Sequence, residues 1–166
     1  MPWAREHPAP IEKHVERTRT NRGNYDLGID FVLAVFDRDE TNVLGGTGLH
    51  TRLGNGAREI GYWIHADHTG RGLATEVSAA LTKIGFAVEG LDRIEIHCDP
   101  ANTRSSAVPR KLGYTLDATL RRRSVTPEGK PRDTMIWSML HDEFATSPAA
   151  AIEVEAFDSC GERIEV

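Results

Sequence analysis

Cysteine is scarce. Cys98 and Cys160 are the two in 166 residues, far apart and without a second pair at zinc spacing, so a disulfide framework and a zinc knuckle are both excluded. Both read as reduced thiols. Long apolar runs are also missing; none approaches the ~20 residues that cross a bilayer, and no membrane contact is expected. The opening MPWAREHPAP has no apolar stretch behind its charges, which argues against a secretory signal and for a cytoplasmic protein. Positive charge is in deficit, with a net charge of −5, so nucleic acid is not expected as a partner. The local basic cluster Arg121-Arg122-Arg123 reads as a solvated strand end.

With 39% apolar and 27% charged residues, the chain has the make-up of one globular domain that buries its core without staples. That domain is expected over residues 1–145. An Ala, Ser and Pro linker at 145–150 begins the remainder, 146–166, whose AIEVEAFDSCGERIEV alternates like a terminal hairpin or else trails as a tail.

Ile11, Val15 and Thr18 share a face in IEKHVERTRTNRG, which predicts an amphipathic helix capped by Gly23. Three β-type runs follow at 30–37, 42–53 and 58–66, separated by the polar turn 38–41 and by Asn55-Gly56, and they predict serial antiparallel strands. From Leu73 the period changes: Leu73, Val77, Ala80, Leu81, Ile84 and Val88 recur at helical steps until Gly90. DRIEIHC at 92–98 alternates as a half-buried strand, stopped by Asp99-Pro100. A short helix over 103–112 must hold Pro109 near its first turn or kink around it. Strands at 114–124 and 132–140 complete the pattern, joined by the turn TPEGKP.

Between the third strand and the long helix lies HADHTGRG. In a strand-turn-helix order its backbone N–H groups and those of the first helical turn lack partners, and the helix dipole favours an anion there. Gly70 and Gly72 let an anion approach the main chain. A nucleoside-triphosphate loop needs Lys-Ser/Thr after its second glycine, whereas Leu73-Ala74 stands here. A dinucleotide fingerprint needs a third glycine, which GTGLHT at 46–51 and GRGLAT at 70–75 both lack.

Three blocks in order, EIGYWI at 59–64, HTGRGLATE at 68–76 and NTRSSAVPRKLGY at 102–114, make the chain resemble the GCN5-related (GNAT) N-acetyltransferases. The branch most similar is that of the ribosomal-protein-alanine acetyltransferases, and the likeness covers roughly residues 30 to 140. The resemblance implies an α/β fold with a mixed, mostly antiparallel central sheet, parallel where strands splay at the cofactor, and helices on both faces. It implies acetyl-CoA as co-substrate, an amine acceptor and a homodimer. By position, Ile64, His65 and Ala66 would meet pantetheine through backbone groups, and Thr69, Gly70, Arg71, Gly72, Leu73, Ala74 and Thr75 would hold the phosphates. Asn102 and Ser105 would flank the sulfur end.

The chain departs from that pattern in four ways. Asp67 replaces the usual Gln or Arg before the glycines, Pro109 replaces the tyrosine that serves many relatives as general acid, and Ser124 replaces a carboxylate implicated as base in the ribosomal branch. The opening strand has no counterpart; either the start is truncated or another strand fills its place, with one from 151–166 as the candidate.

Acetylating an amine requires a neutral amine, an oriented thioester carbonyl and a proton for the departing thiolate. Glu59, two-residue alternation from Trp63 and His65, is the candidate base, and Ser105 the candidate acid or stabiliser of the thiolate. Backbone N–H groups near Ile64 or His65 would polarise the carbonyl. His65 with His68 and the run His97-Cys98-Asp99 lack further ligands at suitable spacing, so no metal is expected. Of Tyr62 and Trp63, one is expected in the core and the other beside the acceptor. An acyl-CoA-binding or regulatory module with little turnover remains an alternative, as does an interaction protein whose glycine turn is structural.

Overall fold

The computed structural model describes residues 10–126 and 128–166. The opening segment ahead of residue 10, and Pro127 in the last predicted turn, lie outside that range. The elements are α1 (Ile11–Asp26), β1 (Phe31–Phe36), β2 (Val43–His50), β3 (Ala57–Ile64), α2 (Leu73–Ala87), β4 (Arg93–Cys98), α3 (Thr103–Leu112), β5 (Thr115–Val125), β6 (Pro131–Leu140), α4 (His141–Phe144), β7 (Ala156–Phe157) and β8 (Arg163–Ile164).

Strands β1 to β6 form one sheet in the order β1-β2-β3-β4-β6-β5, flanked by helices. Every pairing is antiparallel except β3 with β4. Alternation divides its residues between two faces. Leu49, Ile60, Ile94, Ile96, Trp137 and Met139 pack with Leu81, Phe86, Val108 and Leu112 of α2 and α3 into the buried core. The helix lies close: a Cβ on Gly85 of α2 would stand 2.8 Å from Ile94 Cδ1.

In the turn after β1, the Asp37 carboxylate accepts from Asn42 Nδ2 at 2.6 Å and from the backbone N–H of Thr41 at 2.8 Å. The Asn42 side chain first, then backbone N–H groups, lower its pKa to about 2. A depressed acid contributes stability above its unfolded value and loses it as pH falls through its folded one. An NMR titration should therefore place the Asp37 midpoint near 2, with the hairpin turn losing this support progressively as pH falls from about 3.8 to about 2.

Three local expectations are corrected. Helix α1 does not stop at Gly23; it runs to Asp26 and closes before Gly28, whose φ of +66° is the left-handed stop. Its Ile11 and Val15 are exposed rather than packed. The expected linker at 145–150 is seated on the core instead, with Ala149 fully buried in the main cluster. The terminal strands β7 and β8 pair with each other in a separate two-stranded sheet, so 151–166 does not fill the opening-strand position beside β1.

Gly113 ties the reseated segment to α3. Its φ is +87°, and a Cβ there would stand 2.7 Å from Pro148 Cδ. Gly113→Ala should therefore lower stability by about 1–3 kcal/mol through left-handed strain alone, with the clash added, as thermal unfolding would read.

Candidate active site

The parallel contact between β3 and β4 is short. It runs over Ala57/Arg93, Arg58/Ile94 and Glu59/Glu95 and then ends, leaving the rest of β3 paired to β2 and the rest of β4 to β6. The strands splay from that point. The His65 N–H donates to Leu44 O at 2.8 Å, so by antiparallel alternation the odd-numbered residues of β3 bond toward β2. The backbone groups of Tyr62 and Ile64 then turn toward the β4 side, where no strand meets them. Of the three residues expected to meet pantetheine, His65 thus has its N–H committed to Leu44.

The seam leads into the glycine turn. A short 3-10 helix, Ala66–His68, is opened by the His65 side chain, which accepts from Asp67 N. Arg71 donates to His68 Nδ1 at 3.1 Å. Gly70 and Gly72 have φ of +78° and +86°, and a Cβ on either would point into open space. Thr75 and Glu76 N–H groups return to Gly72 O. The N–H groups of Gly70, Arg71, Gly72, Leu73 and Ala74 donate to no described residue. A row of free donors, a bare main chain and a helix N-terminus fit an anion, and nothing on the turn competes for it except the exposed Asp67 carboxylate.

At the vertex of the splay, the face opposite the core carries an ionic cluster. Arg52 grips Glu59 with two bonds, Nε to Oε2 at 2.8 Å and Nη2 to Oε1 at 3.0 Å. His97 stands with Nδ1 3.3 Å from Glu59 Oε2 and Nε2 2.6 Å from Glu95 Oε2. Arg93 Nε lies 3.0 Å from the other oxygen of Glu95. Beside the cluster the sheet is bare. A Cβ on Gly61 would meet His50 Nε2 at 3.0 Å, one on Gly48 would meet the same ring at 2.8 Å, and one on Gly46 would strike Trp63 Nε1. The Trp63 indole and the His50 ring lie across glycines, and Asp30 holds His50 Nδ1 at 3.0 Å.

Ser105 and Asn102 approach from the helix side. Asn102 is the N-cap of α3, its side-chain oxygen accepting the Ser105 N–H at 3.1 Å, while the Ser105 hydroxyl bonds to no described residue. Pro109 sits deep in α3, beyond its first turn, so of the two placements expected for it the first-turn one does not hold. Its missing N–H would have served the carbonyl of Ser105. The Tyr62 hydroxyl donates to that carbonyl instead, at 3.1 Å. Burial pushes the Tyr62 phenol well above its ordinary value, which keeps the donor protonated. Tyr62 is therefore the inward member of its pair and Trp63, 39% exposed, the outward one.

Glu59 and Ser105 thus lie on opposite sides of the sheet at the splay. Ser124 bonds Thr134 Oγ1 at 3.2 Å and takes a bond from Arg132 Nε at 3.1 Å, a structural post on β5 and β6. Sequence reasoning missed Tyr62 as a helix-completing donor and Glu95 and His97 as neighbours of Glu59. The alternation of DRIEIHC did place Glu95 and His97 on one face, which was the available signal. Among the described residues no cluster of three or more His, Cys, Asp or Glu is arranged to hold a metal ion. No described helix is long and apolar enough to cross a membrane.

Comparison with known proteins agrees with this architecture. A family profile described as an acetyltransferase (GNAT) domain matches residues 1–115. An uncharacterised N-acetyltransferase, p20, of Bacillus licheniformis is 34% identical over 91 residues, 55% of this chain and 51% of that protein, so the match spans about half the length of that relative. The ribosomal-protein-S5-alanine acetyltransferase of Vibrio fischeri superposes with a TM-score of 0.70 at 21% identity, over 78% of this chain and 71% of that one. RimL, the ribosomal L7/L12 α-N-protein acetyltransferase solved with coenzyme A, superposes with a TM-score of 0.72 at 20% identity, over 81% and 75%. With the profile covering well over half of the sequence, and the splayed sheet and glycine turn in place, the chain belongs to the GNAT acetyltransferase family.

Proposed function

We propose that the protein transfers an acetyl group from acetyl-CoA directly to a primary amine, a protein N-terminus or a small-molecule amine. The observation that carries this reading is the continuity of free backbone groups, from Tyr62 and Ile64 on the open seam to the unpaired N–H row at Gly70–Ala74. In this reading Ile64 and Ala66 bond pantetheine as an added strand would, while His65, its N–H on Leu44 and its carbonyl on the His68 N–H, only holds the strand end in place. Thr69, Gly70, Arg71, Gly72, Leu73, Ala74 and Thr75 enclose the pyrophosphate. Acetyl-CoA supplies the activated acyl group, and the chain supplies orientation and proton handling.

The thioester then lies in the splay between two sets of groups. From the polar face Glu59 accepts a proton as the amine nitrogen bonds to the carbonyl carbon. On the other side the Ser105 hydroxyl gives its proton to the sulfur as the C–S bond breaks and regains one from water, with Asn102 fixing the first turn of α3 beneath it. Acetamide and free thiol are the products. The second reading, a cofactor-binding module with weak turnover, is favoured by Pro109 and by Ser124 being spent on Thr134 and Arg132. Product formation with a panel of amines separates the two. The homodimer belongs to the same proposal: β1 is one edge of the sheet among the described residues, β5 the other, and sedimentation velocity should show a dimer.

Calorimetric titration with acetyl-CoA tests the cofactor site. Wild type should bind with micromolar affinity and Gly70→Glu should lose it, because the new carboxylate faces the pyrophosphate and φ of +78° strains any side chain. Absence of binding by wild type would overturn the reading.

A further inference from the structure

Resting on the acetyltransferase reading, we propose that His97, held by the buried Glu95, is a relay residue that takes the amine's proton from Glu59 and passes it to solvent. The geometry of the ionic cluster carries the inference. Arg52 occupies both Glu59 oxygens, so a proton deposited on that carboxylate displaces a charge-assisted bond unless another group removes it. His97 Nδ1 is the nearest acceptor, 3.3 Å from Glu59 Oε2.

Glu95 decides which nitrogen accepts. Its side chain is 8% exposed and its Oε2 lies 2.6 Å from Nε2, so the hydrogen of the neutral ring sits on Nε2 and the lone pair of Nδ1 faces Glu59. The transfer balances with one proton: the amine N–H bond breaks as a Glu59 O–H forms, and that O–H breaks as Nδ1–H forms. The imidazolium that results has a carboxylate at each nitrogen. Its ring is 22% exposed, which gives water a route to reclaim the proton.

The surrounding charges are few. From β3 and the preceding loop come Glu59 and Arg52; from β2 comes His50, in register with Glu59 and held by Asp30; from β4 come Glu95 and Arg93, with Asp99 beyond its end paired to Arg132; β6 presents Thr134, Ile136 and Ser138, which do not titrate. Arg52 and Arg93 each pair with one of the two carboxylates that flank the ring. Sequence distance hides this arrangement, because the parallel contact of β3 with β4 brings Glu59 beside Glu95 across 36 positions.

The test is steady-state acetylation of a panel of primary amines by wild type, His97→Ala and Glu95→Gln, each over pH 5.5–9.5, with acetyl-CoA affinity measured in parallel. His97→Ala should lower kcat by about 10²-fold with KM for acetyl-CoA unchanged, flatten or displace the ascending limb of the pH profile, and regain turnover on addition of imidazole. Glu95→Gln should displace the same limb with a smaller loss. A purely structural role would leave the profile shape unchanged and give no imidazole rescue, and either finding in a folded variant overturns the relay alone. Absence of turnover by wild type with every amine would overturn the relay together with the reading beneath it.

Discussion

Glu59→Gln is expected to lower kcat by about 10²–10⁴-fold while acetyl-CoA affinity is preserved. The amide has the shape of the carboxylate and can still accept from Arg52, but it cannot hold the proton that leaves the amine. The substitution also replaces one of the two oxygens that accept from Arg52, at 2.8 and 3.0 Å, with an N–H₂ group. Glu59→Asp separates the two causes. A shortened carboxylate keeps the base but misplaces it, so it should recover part of the rate, and equal loss in both variants would mean that position 59 acts only through packing. Product appearance at saturating acetyl-CoA measures both.

Tyr62→Phe should destabilise the fold by about 1–3 kcal/mol, because it leaves the Ser105 carbonyl without a donor in a half-buried place. The cause is specific to Pro109, which has no N–H to offer that carbonyl. In the Pro109→Ala background the helix recovers its own donor, so Tyr62→Phe should cost markedly less there. Thermal or urea unfolding of the four proteins of this double-mutant cycle reads the coupling. Equal cost in both backgrounds would mean that the phenol hydroxyl supports something other than the α3 backbone.

Where periodicity was strong the sequence was legible. The three serial strands, the long helix after Gly72 and the strand of Ile94, Ile96 and Cys98 all follow from alternation or from three- and four-residue steps. Helix α1 outran its expected cap because a glycine inside a helix costs only about 1 kcal/mol, and the backbone reached a better stop at Gly28. Pro109 misled because its compensation comes from a tyrosine on another element, which no local rule registers. Composition misread 145–150: Ala149 is small enough to sit in the core below Gly113, where the same Ala, Ser and Pro letters elsewhere mark a free linker.

The glycine turn and Glu59 were visible as candidates, and the structure supplies their setting. The relay cluster was not visible, since its members come from a loop and two strands joined only by a three-pair parallel contact. A one-sequence reading registers alternation within a strand far better than neighbours across strands.

The open seam has a consequence for amide exchange. On β3 the amides of Gly61 and Trp63 are locked into β2, while those of Tyr62 and Ile64 face the gap, so protection along a single strand should alternate residue by residue. A molecule lying in the seam as a surrogate strand would slow the even-numbered amides and leave the odd-numbered ones as they were. That two-residue rhythm is a fingerprint of where the ligand lies, legible without any turnover.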